Sequence, residues 1–176
     1  VSPRMDGRAL ILGSVRGLSE ETDVGSLVKT PELCGPVREA FSGPFVMVHG
    51  ADGGDRAGAE GNPGASESRE LAYRAALDWF RFAKGRPRIM RAGGVDQSVI
   101  DRYNLVLFGT PANNPLVRKV LTDLPIEMTD SHVEIRGRRY GLDRHGVWLI
   151  YPNPLNPRRY VVINAGVPWG RDLPVN

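Results

Sequence analysis

The chain has 176 residues, enough for one domain with a substantial core, and its 41% hydrophobic and 24% charged residues are typical of globular proteins. No apolar run approaches the roughly 20 residues that span a bilayer, and a single cysteine excludes an internal disulfide and a cysteine-based zinc cluster. The net charge of +3 rests on scattered arginines that do not alternate with aromatic residues, so we expect no nucleic-acid partner.

The first part of the chain differs in pattern from the rest. Residues 1–35 contain short strand-like runs separated by glycines and acidic residues. They form a strand-rich lead-in, which is either the edge of this domain or the end of a preceding one. Residues 36–176 are predicted to form a single α/β domain that opens with a short helix over 35–41.

A buried strand and a long helix come next. The run "PFVMVHG", residues 44–50, has the length and apolar continuity of a strand covered on both faces. After a Gly-rich loop, residues 66–85 predict a helix with Ser66 as its cap. Its inner face is predicted to comprise Tyr73, Ala76, Leu77, Phe80 and Ala83.

The pattern then repeats. Residues 87–92 predict a strand, and residues 96–103 predict a short helix capped by Asp96. The apolar run 104–109 predicts a second buried strand, and 113–124 predict a helix with Asn114 as N-cap and Pro115 at its first position.

The remaining third of the chain is predicted to consist of strands. Residues 132–142 predict a hairpin, and the runs 146–152 and 159–166 predict two apolar strands. The prolines between these two strands are expected to end the first of them and to form a stiff turn at the carboxyl edge of the sheet. Alternating strands and helices followed by strands predict a small three-layer α/β domain, flavodoxin-like or Rossmann-like, with a mostly parallel sheet.

In such sheets ligands bind beyond the carboxyl ends of the strands. The predicted ends carry polar residues beside helix starts, and the backbone N–H groups of residues 114–117 would favour an anion. This pattern predicts a site for a small polar or anionic ligand, unless the same residues serve only as turn and cap residues. The candidate residues are His49, Asp52, Thr110, Asn113, Asn114 and Asn153.

Several familiar chemistries lack their motifs in this sequence. The dinucleotide pattern G-x-G-x-x-G, the Walker pattern and the serine elbow G-x-S-x-G do not occur. The three histidines, His49, His132 and His145, are far apart in sequence. We therefore expect no cofactor and no metal and assign no catalytic residue; whether this chain alone is an enzyme stays open, with the missing motifs favouring no.

Three stretches together resemble a known segment: "VKTPELCGPVREAFSGPFVMVHG", "DRYNLVLFGTPANNPLVRKVLTDLPIEM" and "WLIYPNPLNPRRYVVINAG". They resemble the region C-terminal to the catalytic domain in bacterial prolyl-oligopeptidase-like or esterase-type α/β-hydrolases. The resemblance covers about residues 27–166. It implies a secreted or envelope-associated serine hydrolase, with the catalytic serine outside this chain and an α/β-hydrolase domain as partner.

Three functions follow as hypotheses. The first is a non-catalytic accessory domain of a secreted serine hydrolase, which packs on the catalytic domain or presents substrate to it. The second is a flavodoxin-like module that binds a small polar or anionic ligand at the carboxyl edge of the sheet. The third is a structural or anchoring domain at the cell surface.

Overall fold

The computed structural model describes residues 30–50 and 63–168, which form an α/β fold around a five-stranded sheet. The helices are α1 (Pro63–Ala83), α2 (Gln97–Arg102) and α3 (Pro115–Leu121). The strands are β1 (Phe45–His49), β2 (Arg88–Arg91), β3 (Asn104–Phe108), β4 (Glu127–Met128), β5 (His132–Ile135), β6 (Arg138–Gly141), β7 (Gly146–Asn153) and β8 (Asn156–Gly166). Short 3-10 turns occupy Pro31–Leu33, Val37–Phe41 and Ala92–Gly94. Among the helices of these two ranges, none is long and apolar enough to cross a membrane.

The main sheet is mixed but mostly parallel, as the sequence predicted. Its strand order is β2-β1-β3-β8-β7; the first three pairings are parallel and the β7–β8 pairing is antiparallel. Strands β4, β5 and β6 form a separate antiparallel sheet. The predicted hairpin is confirmed there, because Arg136 and Gly137 both adopt positive φ between β5 and β6, as a tight two-residue turn requires.

The main sheet buries both faces, because successive side chains of a strand point to opposite sides. Val46 and Val48 of β1 pack with α2, α3 and the small sheet, whereas Met47 between them packs with α1 and the Val37–Phe41 turn. All five residues of β3 are buried. Continuous apolar runs therefore identified the central strands correctly.

Helix α1 is rotated relative to the sequence prediction, and it begins earlier. It starts at Pro63, so Ser66 lies inside it and is not its cap. Four of the five residues predicted to face inward are exposed: Tyr73 at 56%, Leu77 at 49%, Phe80 at 41%, and Ala83; only Ala76 is buried as predicted. The buried stripe instead contains Ser68, Ala72 and Ala76, whose small side chains let the helix approach the sheet closely.

The β7–β8 connection also differs from the prediction. Strand β7 continues through Pro152 to Asn153, and β8 begins at Asn156, so the prolines do not end the first strand. Pro152 is tolerated because, among the described strands, β7 is at the edge of the sheet, where a residue without an N–H group removes no central ladder bond. Because β7 runs antiparallel to β8, this tight turn lies at the amino edge of the parallel strands, not at their carboxyl edge.

The two shorter helices are capped as predicted. The carboxylate of Asp96 accepts a hydrogen bond of 3.0 Å from the N–H of Val99. A hydrogen bond from Ser98 Oγ, together with this cap bond, holds the pKa of Asp96 below its ordinary value. Asn114 caps α3 with Pro115 at the first position.

Candidate functional site

The chain crosses over beside β1. It leaves β1 for β2 on one side and then passes to β3 on the other side, so the carboxyl ends of β1 and β3 lie where the strand order reverses. In open α/β sheets the crevice at such a point is the usual ligand site. Here these ends carry His49 and Gly50 after β1, and Gly109 and Thr110 after β3.

A cleft with a volume of about 400 Å³ opens at this edge. Of the residues predicted from the sequence, it brings together Thr110 and Asn113. The rest of its lining comes from the end of β3, from α1, from the loops of the small sheet, and from the end of β8 and the residues after it. These residues are Glu67, Ser68, Leu71, Gly109, Asp130, Ser131, Leu142, Asp143, Gly166, Val167 and Pro168.

The wall formed by the loop after β3 is built from close backbone contacts. Asn113 Oδ1 accepts a hydrogen bond of 2.8 Å from the N–H of Thr110, which closes the loop. Gly109 has φ of +109°, and a Cβ at this position would collide with Asn113 Oδ1. A Cβ at Gly50 would collide with the backbone oxygen of Asn113. The ends of β1 and β3 can therefore approach this loop only because both positions are glycine.

Asn114 is fully buried and serves the fold. Its amide nitrogen donates to the carbonyl oxygens of Phe108 at 2.9 Å and Val48 at 3.3 Å. Its Oδ1 accepts from the N–H groups of Leu116 at 3.0 Å and Val117 at 3.4 Å. The expectation of free N–H groups for an anion at residues 114–117 is therefore wrong, because the side chain of Asn114 occupies two of them.

His49 is buried at the end of β1 and does not belong to the cleft lining. Its exposed fraction is 4%, and its Nδ1 lies 2.7 Å from the carbonyl oxygen of Gly50. A carbonyl oxygen only accepts hydrogen bonds, so Nδ1 carries the proton and donates it. The ring centre of His49 lies 6.5 Å from that of Tyr73 on α1. The residue thus links β1 to the neighbouring loop and helix.

Of the two remaining predicted site residues, only Asn153 lies among the described residues, and it is outside the cleft. Asn153 belongs to the β7–β8 turn at the opposite edge of the sheet, where its Oδ1 accepts a 3.0 Å hydrogen bond from the N–H of Leu155. An apolar run does not reveal strand direction, and the assumption of a parallel β7 placed Asn153 at the wrong edge. Asp52 lies outside the described residues.

Sequence reasoning missed the residues that α1 and the small sheet contribute. Ser68 is 1% exposed, and its Oγ accepts a 3.1 Å hydrogen bond from the N–H of Gly50. Asp130 Oδ1 accepts a 2.8 Å hydrogen bond from the N–H of Ala112. Both contacts join segments 18 residues apart, and no local sequence pattern predicts them. The one available signal was the spacing of Ser68, Ala72 and Ala76, which places a serine on the buried stripe of α1.

The lining of the cleft is acidic. Glu67, Asp130 and Asp143 line it, and no Lys, Arg or His occurs among its described lining residues. Such a site repels anions and attracts cations and hydrogen-bond donors. Across residues 30–50 and 63–168, no group of three His, Cys, Asp or Glu side chains is arranged to hold a metal ion.

A serine, a threonine and a histidine meet beside the cleft, between β4 and β5. His132 Nδ1 lies 2.9 Å from Thr129 Oγ1 and 3.2 Å from Ser131 Oγ. Thr129 Oγ1 also accepts hydrogen bonds from the N–H groups of Ser131 and His132. All these partners lie within three residues of one another, which is typical of side chains that stabilise a turn. We therefore assign the cluster to the turn.

Comparisons with protein-family models, with curated proteins and with solved structures find no match for this chain. The resemblance to segments of α/β-hydrolases therefore stays a prediction.

Proposed function

We propose that this domain binds a small polar ligand, neutral or cationic, in the cleft beyond the carboxyl ends of β1 and β3. The observation that carries the proposal is the coincidence of a cleft of about 400 Å³ with the point where the strand order reverses. The order β2-β1-β3 is also that of flavodoxin-like sheets, whose ligand lies at the corresponding point. The volume falls within the usual range of small-molecule sites.

The lining supports a ligand that donates hydrogen bonds. Asp130 and Asp143 offer carboxylate oxygens, and Thr110, Asn113 and Ser131 add groups that can donate or accept. An ammonium or a set of hydroxyl groups satisfies these acceptors, whereas a phosphate or carboxylate meets like charge. The acidic lining thus favours the polar form of the sequence hypothesis over its anionic form.

A thermal-shift experiment with matched probes tests this proposal. Glucosamine, glucose and glucose 6-phosphate share one ring and differ in charge, and 1,4-diaminobutane and succinate form a second matched set. We expect the cationic probes to raise Tm most, because their charge is opposite to that of the cleft lining. A ligand at about 100 times its Kd adds about 2.7 kcal/mol to the free energy of unfolding. Stabilisation by the anionic probes, or by none of the five, contradicts the proposal.

A pair of variants locates the binding. Asp143→Asn removes one carboxylate from the lining, whereas Asp78→Asn removes an exposed carboxylate of α1 that lies outside the cleft. We expect the first variant to weaken the stabilisation by the cationic probes and the second to leave it unchanged. Equal loss in both variants would indicate a general effect of net charge.

A second candidate function is the accessory domain of a secreted serine hydrolase, in keeping with the sequence resemblance. It is favoured by an apolar groove with a volume of about 360 Å³ between α1 and the Val37–Phe41 turn. Trp79 and Phe82 of α1 line the groove, together with Phe108 of β3 and Trp148 of β7. Apolar grooves of this kind are typical of surfaces that pack against another domain.

This second function predicts that the purified chain does not hydrolyse a nitrophenyl ester. Turnover that serine-directed inhibitors abolish would contradict it. A stable complex with an α/β-hydrolase domain of the same parent protein, lost in Trp148→Ala, would support it; Trp148 contributes to the groove and not to the cleft lining.

A further inference from the structure

Contrary to the expectation from the sequence, arginines do alternate with aromatic residues at one place: the end of α1 and the start of β2 combine positive charge with exposed aromatic rings. The segment 80–88, "FRFAKGRPR", contains Arg81, Lys84, Arg86 and Arg88 and no acidic residue. Every residue from 80 to 86 is exposed. We call residues 80–88 the amino-edge patch, because they lie at the edge of the sheet where the parallel strands begin. This patch is distinct from the cleft, which opens at the opposite edge.

Two phenylalanines of this patch are accessible. Phe82 is 85% exposed, and Phe80 is 41% exposed. The Phe82 ring touches the fold through Trp79, with the ring centres 6.2 Å apart. Both rings are accessible to a partner, and the basic residues around them favour a partner of negative charge.

Further basic residues extend the patch along the same edge. Arg102 ends α2, and Arg158 and Arg159 follow the first residues of β8, beside the start of β3. The strands from β2 to β8 span about 14 Å at a spacing of about 4.8 Å. Arg88 also lies over the ring of Tyr103, with its guanidinium carbon 5.6 Å from the ring centre.

The nearest acidic residues on this edge have partners. Asp78 forms an ion pair with Arg81 at 3.4 Å, and Asp101 accepts a 2.9 Å hydrogen bond from the amide of Gln97. Asp96, at the other end of α2, accepts its cap hydrogen bonds from Ser98 and Val99. Among the described acidic residues of this edge, only Asp78 is offset by an ion pair. Asp96, Asp101 and Glu39 accept hydrogen bonds from neutral donors and keep their negative charge. The basic residues of the edge outnumber them, so the edge is positive on balance; these are Lys84, Arg86, Arg88, Arg102, Arg158 and Arg159.

We propose that the amino-edge patch docks this domain on an anionic lipid surface. Phe82 enters the boundary between the headgroups and the acyl chains, and Lys84, Arg86 and the neighbouring arginines contact the lipid phosphates. This is the arrangement of peripheral membrane-binding surfaces, where aromatic residues insert and basic residues supply electrostatic attraction.

The packing of the phenylalanines favours a lipid surface over single-stranded nucleic acid. Base stacking needs an open aromatic face, but the guanidinium carbon of Arg86 lies over Phe80, 6.0 Å from the ring centre. One ring that is 85% exposed at the end of a helix suits insertion better than the stacking of successive bases.

Co-sedimentation with vesicles tests the proposal. The full chain is mixed with phosphatidylcholine vesicles that contain about 30% phosphatidylserine and with vesicles of pure phosphatidylcholine. We expect binding to the anionic vesicles at least about fivefold above that to the neutral ones, and its loss as salt rises from about 0.1 M to about 0.5 M. Equal binding to both vesicles, or no binding to either, would overturn the proposal.

Matched variants separate the two parts of the mechanism. The double variant Lys84→Glu with Arg86→Glu is expected to abolish binding, whereas Arg138→Glu with Arg144→Glu makes the same change of charge at exposed positions elsewhere and is expected to retain most of it. Phe82→Ser is expected to reduce binding at least about fivefold, and Tyr73→Ser, at another exposed aromatic of α1, to leave it unchanged. Circular dichroism and Tm confirm that each variant is folded.

Two results would count against the lipid assignment even if the patch is active. Loss of binding in the Arg138 and Arg144 control equal to that in the patch variant would show attraction by net charge alone. Binding of a fluorescent oligothymidine that depends on Phe82, without binding to the anionic vesicles, would assign the patch to nucleic acid.

Discussion

The two edges of the main sheet use their polar residues differently. At the carboxyl edge, Ser68, Asn113 and Asn114 are bound to backbone groups of neighbouring segments, and carboxylates line the cleft. At the amino edge, basic side chains and Phe82 extend into solvent. Polar side chains at the carboxyl edge thus hold the backbone together, whereas those at the amino edge are exposed to solvent.

This difference has consequences for substitutions. Where a side chain forms hydrogen bonds with buried backbone groups, its removal leaves those groups buried without a partner. Such a change lowers the free energy of unfolding and alters the shape of the cleft together. Where a side chain is exposed, its removal changes binding with little effect on stability. The following predictions compare the two edges on this basis.

Asn114→Ala should have the largest effect. It removes the acceptor for two N–H groups of α3 and the donor for two carbonyl oxygens, so we expect a loss of about 4 kcal/mol in the free energy of unfolding. Urea denaturation measures the loss. Asn113→Ala, which removes the acceptor of the Thr110 N–H, should cost less than Asn114→Ala. Equal effects of the two variants would refute the structural role assigned to Asn114.

Gly50→Ala should be nearly as severe. The added Cβ collides with the backbone oxygen of Asn113, which belongs to a loop held by its own hydrogen bonds, so we expect about 3 kcal/mol of destabilisation. At Gly93 an added Cβ meets no atom of the described residues within 4 Å. Gly93→Ala should therefore change stability by less than about 1 kcal/mol, as thermal and urea unfolding would show. A tolerant Gly50→Ala variant would mean that the two strand ends are not tightly apposed to this loop.

Ser68→Ala and Phe82→Ala compare the two edges directly. The serine loses only an oxygen atom, but it leaves the buried N–H of Gly50 without this acceptor, and we expect a cost of about 1–2 kcal/mol. The phenylalanine loses a whole ring that is 85% exposed, and we expect less than about 0.5 kcal/mol. If Phe82→Ala proves the more destabilising change in urea, the contrast between the edges fails.

Alkaline pH should produce the smallest effect. Burial, and then the hydrogen bond of 2.9 Å to Glu39, raise the pKa of Tyr160 above its ordinary value of 10.0. As the pH rises, the unfolded chain therefore loses this proton before the folded chain does. The contribution of Tyr160 to the free energy of unfolding is complete below pH 10.0 and declines as the pH rises towards the folded pKa. Burial also raises the pKa of Tyr151. Tyr160→Phe should thus make the decline in urea midpoint above about pH 10 shallower without abolishing it; an unchanged slope would contradict this.

Local patterns predicted much of the fold. Central strands β1 and β3 are continuous apolar runs, and Asp96 and Asn114 stand before periodic segments where N-caps belong. Each of these features is encoded within a few neighbouring residues. The sequence was therefore sufficient to predict an α/β fold with a mostly parallel sheet.

The errors arose where the outcome depends on distant segments. Tyr73 and Phe80 looked suited to a core, but the close approach of Ala72 and Ala76 to the sheet set the rotation of α1. The direction of β7 depends on its antiparallel pairing with β8, which no local pattern shows. The sequence analysis therefore placed Asn153 at the wrong edge of the sheet. Asp130 and Asp143 reach the cleft from the small sheet, and nothing in their local sequence indicates this.

Pro152 within β7 has a consequence for how these molecules behave at high concentration. The unpaired edge of a sheet is a template on which another chain can add a strand, and this is a common first step of aggregation. Within residues 30–50 and 63–168 the main sheet ends on one side at β7, where Pro152 has no N–H group to donate and the ladder is irregular between Pro152 and Asn153. At the other edge β2 is four residues long and begins and ends with an exposed arginine. Both edges thus discourage the sheet from growing into a fibril.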